Sequence, residues 1–266
     1  GMKWIASAHE NPSRGLPRAN AVIVLNDPDT RLPIAIMEGG LISAMRTAVA
    51  QGLAARYLAR EDANSVGLVG AGRIGGLVLY VISRWFPDID TYRVFDLDGD
   101  RAAALATHMK KFDVNVELTG TFEEALAPSD ITVAATTAEQ AYIPPECFKP
   151  GSVFMNVSLM DPTFEHVQMA DKIVVDDWKQ CIHSDRVLAR MHKQGLLTRD
   201  NLHAEFGEII NGDKPGRQND EERIFWNPFG LAIEDLAVAM AVYRAAQSLG
   251  VGNTLELVDS EWDVLF

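Results

Sequence analysis

Apolar and polar positions change their period several times along the 266-residue chain. Short apolar runs at 3–8, 21–25 and 33–37 read as strands, and Asn26-Asp27-Pro28-Asp29 forms a strong turn between the last two. Residues 41–59, rich in Ala and Leu, carry the spacing of an amphipathic helix, and 60–64 make a polar joint. Strand-like runs then follow at 66–69, 92–95, 114–118, 131–135, 152–157 and 172–175. Helical patterns at 74–85, 101–112, 122–126, 162–169 and 185–194 alternate with them. That alternation predicts parallel strands joined by crossover helices. A polar, Gly/Pro-bearing loop at 211–222 leads to a short strand at 223–226 and a long helix over 231–249.

The alternating region opens on the most specific signal in the chain. An apolar strand runs straight into Gly70-Ala71-Gly72-Arg73-Ile74-Gly75, a helical run follows, and the next strand ends in Asp96. This is the dinucleotide-binding fingerprint in its proper setting. Gly70 lets the chain turn off the strand, Gly72 lets a pyrophosphate approach the backbone, and Gly75 lets helix and sheet pack closely. The N–H groups at the start of the helix face the phosphates. Asp96 sits where a carboxylate accepts both hydroxyls of the adenosine ribose and repels a 2′-phosphate, so NAD is expected over NADP. Arg93 and Arg101 flank the site and moderate that preference. Thr136 and Thr137, at the end of the strand near 131–135, are candidates for contact with the nicotinamide ribose; plain loop polarity explains them equally well.

The expected architecture is therefore α/β: a Rossmann-type doubly wound parallel sheet over 61–229, plus a smaller α+β substrate and dimerisation domain. The smaller domain draws on both chain ends, 1–60 and 230–266.

Composition narrows the partners. A formal charge of −13 argues against nucleic acid and anionic membrane, both of which need a basic face. No apolar run reaches membrane-spanning length and no signal peptide is visible. The two cysteines, Cys147 and Cys181, form no disulfide framework, which points to a reducing, cytoplasmic compartment. None of the six histidines has metal-ligand spacing, so no metal site is expected.

Several stretches resemble the ornithine cyclodeaminase/mu-crystallin family. They are Gly1-Met-Lys-Trp-Ile, Leu41-Ile-Ser-Ala-Met-Arg-Thr-Ala, the glycine turn, Ala134-Ala-Thr-Thr-Ala and Gly230-Leu-Ala-Ile-Glu-Asp, in the family's order across essentially the whole chain. Lys3-Trp-Ile-Ala-Ser, Val174-Val-Asp-Asp-Trp, Leu202-His-Ala-Glu, Gly212-Asp and Asn227-Pro are closer to one branch. That branch oxidises N-(2-amino-2-carboxyethyl)-L-glutamate with NAD, and hydrolysis of the imine gives 2,3-diaminopropionate and 2-oxoglutarate. The resemblance implies NAD-dependent oxidation at an amino-acid Cα–N bond. Its alternatives are ornithine cyclodeamination, ketimine reduction, and a non-catalytic, mu-crystallin-like binding protein. It also implies a homodimer and a small amino-acid substrate. Family members carry several dozen residues before the lysine matched by Lys3, so part of the substrate domain is expected to be missing here.

The resemblance also assigns site residues. Asp161, after an apolar strand, is the implied catalytic carboxylate. An amine must lose a proton before it gives up hydride, and a carboxylate serves that purpose. Read locally, Asp161 before Pro162 is also a good helix N-cap. Lys3 is implied as a catalytic and substrate-binding group. Arg46 is implied as the anchor of the substrate carboxylate, and its apolar helix supports this, because a guanidinium among such residues needs an anion. A structural pair with Glu38 or Asp235 is the competing explanation. His9 is a candidate for a second substrate contact, and Gly230 is implied near the nicotinamide.

Overall fold

The computed structural model describes residues 1–8 and 10–255; His9, expected to touch substrate, lies outside them. The chain divides into two compact units, Gly1–Ile42 with the segment from Ala232, and Ser43–Leu231.

In the smaller unit, β1 (Met2–Ser7), β2 (Ala19–Asn26) and β3 (Pro33–Glu38) form an antiparallel meander. The turn read from Asn26 to Asp29 is held by Asp27, whose carboxylate accepts the N–H groups of Asp29 at 3.1 Å and Thr30 at 2.7 Å. Alternation along β2 puts Ala21, Ile23 and Leu25 on the buried face. The helix Ala232–Leu249, labelled α9 below, packs on β1 and β2, and Ala239 joins Ile23, Leu25 and Ile42 in the core. The opposite face of the meander stays apolar and exposed: Met2, Trp4, Val22 and Ile36 share it by register.

Helix α1 (Gly40–Leu58) begins under the Glu38 carboxylate, which accepts the N–H groups of Gly40 and Leu41 at 2.5 and 3.0 Å. The hydrophobic pattern grouped this helix with the N-terminal strands. Its buried residues Ala48, Ala54, Ala55 and Leu58 nevertheless lie in the main core of the larger unit.

The larger unit follows the predicted alternation. It runs β4 (Ser65–Val69), α2 (Arg73–Trp85), β5 (Thr91–Phe95), α3 (Gly99–Met109), β6 (Val116–Leu118), α4 (Phe122–Leu126) and β7 (Ile131–Ala134). It continues through β8 (Val153–Asn156), α5 (Phe164–Gln168), β9 (Lys172–Val175), α6 (Trp178–Ile182), α7 (Val187–Lys193), β10 (Ala204–Glu205), α8 (Phe206–Ile210) and β11 (Ile224–Asn227). Among the described residues these strands make one eight-stranded sheet, ordered β10-β9-β11-β8-β7-β4-β5-β6, with every pair parallel. Order reverses between β4 and β7, the switch point at which open sheets of this kind bind ligands. Both faces are covered: Val66, Leu68, Val133 and Met155 pack on one side, Val69, Ala134, Phe154 and Phe225 on the other.

Helix α6, strand β10 and helix α8 have no counterpart in the sequence pattern. Each is at most five residues long, so no period can establish itself. Local caps define the two helices instead. Asp177 accepts the Gln180 N–H at 2.9 Å, and Glu205 and Glu208 form a reciprocal capping box around the start of α8.

Candidate functional site

The site sits at the carboxyl edge of the parallel sheet, where β4, β5, β7, β8, β9 and β11 end. After β4, Gly70 takes φ +99°, and a Cβ there would lie 2.5 Å from the Ala135 carbonyl. At Gly75 a Cβ would lie 2.2 Å from the Gly70 carbonyl, so helix and turn meet this closely only because residue 75 is glycine. At Gly72 a Cβ would meet nothing within 4 Å, which leaves the outer side of the turn open. Helix α2 starts there with no side-chain cap, and Gly72 and Arg73 are exposed. Its first-turn N–H groups are therefore available to an anion. Ile74 turns inward and packs on the core.

Asp96 follows β5. Its Oδ2 accepts the Ala71 N–H at 2.7 Å and its Oδ1 accepts the Asp98 N–H at 2.8 Å. The carboxylate thus braces the glycine turn as well as standing at the expected ribose position, and each oxygen keeps a second lone pair. Cofactor geometry fits: an open glycine turn, an uncapped thirteen-residue helix and an acid at the next strand end converge.

Asp161 is fully buried in the loop after β8. Three hydroxyls surround it. Thr136 and Tyr142 donate to Oδ1, the latter at 3.1 Å, and Ser158 donates to Oδ2. Among the described residues no Lys or Arg forms an ion pair with it. Leu159, between Ser158 and Asp161, has φ +70°, a left-handed conformation unusual for leucine, and this bend brings both side chains to one place. The local alternative, Asp161 as helix cap, is not what the structure has: Thr163 caps α5, accepting the His166 N–H at 3.3 Å. Burial, and next the negative charge of Asp161, push the Tyr142 phenol well above its ordinary range, so it stays a donor. Thr136 is engaged with Asp161 rather than free at the crevice, and it also accepts the Ala138 N–H at 3.0 Å. Thr137 is exposed.

Gly230 follows β11 in the turn Asn227-Pro228-Phe229-Gly230. Its φ is +98°, and a Cβ would lie 2.5 Å from Nη1 of Arg46. The Arg46 guanidinium therefore rests against Gly230. Glu38 caps α1, and Asp235 binds Lys3. Lys3 lies opposite Ile23 on the covered face of the meander, and its Nζ is 2.5 Å from Oδ2 of Asp235, which is 1% exposed.

Reading the sequence missed three residues here: Tyr142, Ser158 and Asp176. Ser158 stands three residues before Asp161 and had a local signal. Asp176 lies in the Val174-Val-Asp-Asp-Trp stretch at a strand end, and Tyr142 had no local signal, since it reaches Asp161 from nineteen residues away. Cys181 is buried, and burial followed by the Asp176 charge pushes its thiol up to about 12, so it stays protonated.

The chain is similar to several known proteins. The chain is 38% identical over 260 residues to the N-((2S)-2-amino-2-carboxyethyl)-L-glutamate dehydrogenase of Staphylococcus aureus, covering 97% of this chain and 77% of that protein. Its fold superimposes with a TM-score of 0.89 on Thermococcus litoralis Delta(1)-pyrroline-2-carboxylate reductase, solved with NADH and L-proline, at 34% identity, covering 95% of this chain and 80% of that one. An archaeal alanine dehydrogenase dimer with bound NAD gives a TM-score of 0.88 at 31% identity, covering 96% of this chain and 80% of that one. The model of the ornithine cyclodeaminase/mu-crystallin family matches residues 1–250, and with the glycine turn, the parallel sheet and the relatives at this identity the chain belongs to that family.

Proposed function

We propose that this protein is an NAD-dependent oxidoreductase acting on the Cα–N bond of an amino acid, with N-(2-amino-2-carboxyethyl)-L-glutamate as substrate and 2,3-diaminopropionate and 2-oxoglutarate as products. The observation that carries the reading is Asp161: a buried carboxylate among hydroxyl donors, with no cation paired to it among the described residues, at the carboxyl edge where the cofactor turn also lies. A buried anion of this kind is completed by a cation, and a substrate ammonium is one.

The glycine turn and the open N-terminus of α2 hold the pyrophosphate, and Asp96 takes the adenosine ribose. When bound, the nicotinamide supplies the hydride acceptor. Arg46 grips the substrate carboxylate through two parallel N–H bonds. Asp161 accepts the proton that the amine must shed before hydride can leave, and Thr136, Tyr142 and Ser158 hold the carboxylate in place for that transfer. The imine so formed takes up water at carbon and splits, releasing the amine of 2,3-diaminopropionate and the carbonyl of 2-oxoglutarate. Asp161 is also suited to draw a proton from that water. The exposed Met2, Trp4, Val22 and Ile36 face gives a homodimer a self-complementary apolar surface.

The similarity to a pyrroline-carboxylate reductase at 34% identity supports a second reading, reduction of a cyclic ketimine. Absorbance of NADH separates the readings. With NAD, N-(2-amino-2-carboxyethyl)-L-glutamate should give NADH and 2-oxoglutarate, and L-ornithine should give neither NADH nor proline. Proline from ornithine would replace the proposal by cyclodeamination, and NADH consumption with a cyclic ketimine alone would replace it by reduction. Cofactor binding without turnover of any of these would favour a binding protein.

A further inference from the structure

Asp176 has no part in the scheme above, yet three backbone N–H groups converge on it at the carboxyl edge. It follows β9, and β9 pairs with β11 so that Val175 lies opposite Asn227. The chain leaving β11 thus passes directly over Asp176. Its Oδ1 accepts the N–H of Phe229 at 2.9 Å and of Asp177 at 2.8 Å, and its Oδ2 accepts the N–H of Gly230 at 2.5 Å. Two successive N–H groups of one turn therefore converge on one carboxylate, one on each oxygen.

The other side of that turn is occupied by Arg46. From the ideal Cβ position of Gly230, Nη1, Nη2 and Cζ of Arg46 lie at 2.5, 2.8 and 3.0 Å. Because Cζ is farther than either Nη, the guanidinium turns its Nη1–Nη2 edge toward Gly230. A side chain at residue 230 would push the guanidinium aside, and φ +98° is itself a conformation that glycine adopts without strain. The order in space is carboxylate, turn, guanidinium.

We propose that Asp176 is a positioning residue for substrate binding: by clamping the Phe229–Gly230 turn it builds the wall that sets where the Arg46 guanidinium lies, and so where a substrate carboxylate is held. This rests on the reading of Arg46 as the carboxylate anchor. Bidentate recognition of a carboxylate needs the guanidinium in one orientation, and the turn is one of the surfaces that set it. Asp176→Asn tests the clamp with little change of shape, because an amide can accept only one of the two turn N–H groups and sets its own N–H against the other.

The measurement is calorimetric binding of N-(2-amino-2-carboxyethyl)-L-glutamate to the protein saturated with NADH. This ternary complex cannot transfer hydride, so the readout is independent of turnover. Asp176→Asn should weaken amino-acid binding about tenfold or more while NADH affinity changes by less than about threefold. Arg46→Lys should weaken it at least as much. Asp176→Asn in the Arg46→Lys background should add less than about threefold, because both changes remove the same placement. In steady state the single variant should raise KM with kcat nearly kept, which a general loss of structure would not do.

Unchanged amino-acid affinity in Asp176→Asn, with Arg46→Lys strongly impaired, overturns the clamp and leaves Arg46 as anchor. Unchanged affinity in Arg46→Lys, or no binding by the unmodified chain, overturns the substrate reading itself and the clamp with it. Should Asp176→Asn also lose NADH binding through misfolding, Gly230→Ala decides from the other side of the turn. With NADH binding intact it should weaken the amino acid likewise, and undisturbed binding there would sink the proposal.

Discussion

The two edges of the eight-stranded sheet treat buried charge in opposite ways. At the amino edge the buried Asp130 and Lys172 both have counter-ions. Asp130, just before β7, accepts from Lys149 at 2.7 Å, Arg60 at 3.2 Å and the Ser65 hydroxyl at 2.7 Å, along with the N–H groups of Asn64 and Ser65. Burial opposes its ionisation, but Lys149, Ser65 and Asn64 outweigh that and hold its carboxyl below the usual range. Lys172, the first residue of β9, gives its Nζ to Glu222, Gly216 and Gln218 within 3.0 Å. The Arg217 guanidinium ties Leu58, Ser152 and Glu222 together through their carbonyls. At the carboxyl edge Asp161 and Asp176 are held by hydroxyls and backbone N–H groups, all neutral. The amino edge is finished as a structure, whereas the carboxyl edge leaves negative charge for something else to meet.

That contrast can be broken by substituting one carboxylate at each edge. The largest effect is expected from Asp161→Asn, which removes the proton acceptor and keeps the shape. Turnover should fall about 10³-fold, roughly 4 kcal/mol in the barrier, with NAD affinity and melting temperature nearly unchanged. Retained turnover in a stopped-flow NADH assay would remove Asp161 from the chemistry. Asp130→Ala should do the reverse. Leaving Lys149 without its anion, and Arg60 with Asp62 alone, should cost about 3 kcal/mol of stability in urea unfolding, while kcat per folded molecule is kept. A fall in kcat without loss of stability would merge the two edges into one functional unit.

His166 sharpens the comparison from the core between the edges. It is fully buried, stacks on Phe148 with ring centroids 4.7 Å apart, and burial lowers its pKa from 6.5 to about 4. The folded state thus binds the proton less readily than the unfolded chain. Its contribution is complete above the unfolded pKa of 6.5 and is lost as pH falls toward the folded value of about 4. The loss is on the order of 3 kcal/mol across that window. His166→Phe should flatten the stability profile between those pH values, and an unaltered profile would show that other groups govern acid unfolding. The smallest effect is expected at Asp96. Asp96→Ala should weaken NAD about tenfold and NADP less, measured by fluorescence titration. Equal losses would mean that its bond to the Ala71 N–H, which serves either cofactor, is its whole role.

Local pattern carried much of this protein into view. The Gly70-x-Gly72-x-x-Gly75 turn, the acid at Asp96 and the alternation of strands and helices are short-range signals, because each reports the steric needs of a few consecutive residues. Asp161 was visible as an acid at a strand end, but its surroundings were not. Tyr142 arrives from nineteen residues away and Thr136 from twenty-five. Lys3 meets Asp235 across 232 residues, a pairing that no local pattern encodes. The short helices α6 and α8 escaped for the opposite reason, since caps define them and no period does, and the two residues of β10 are defined by pairing with β9.

The sequence by itself determined the parallel α/β class, the glycine turn and the sign of the charge at the next strand end, since backbone sterics and hydrophobic period act over a few residues. Only the tertiary structure decided which buried carboxylate would be neutralised and which left among neutral donors. That choice depends on where a cation or a hydroxyl from a distant strand end comes to rest, and a buried charge is governed by the atoms around it rather than by its neighbours in the chain.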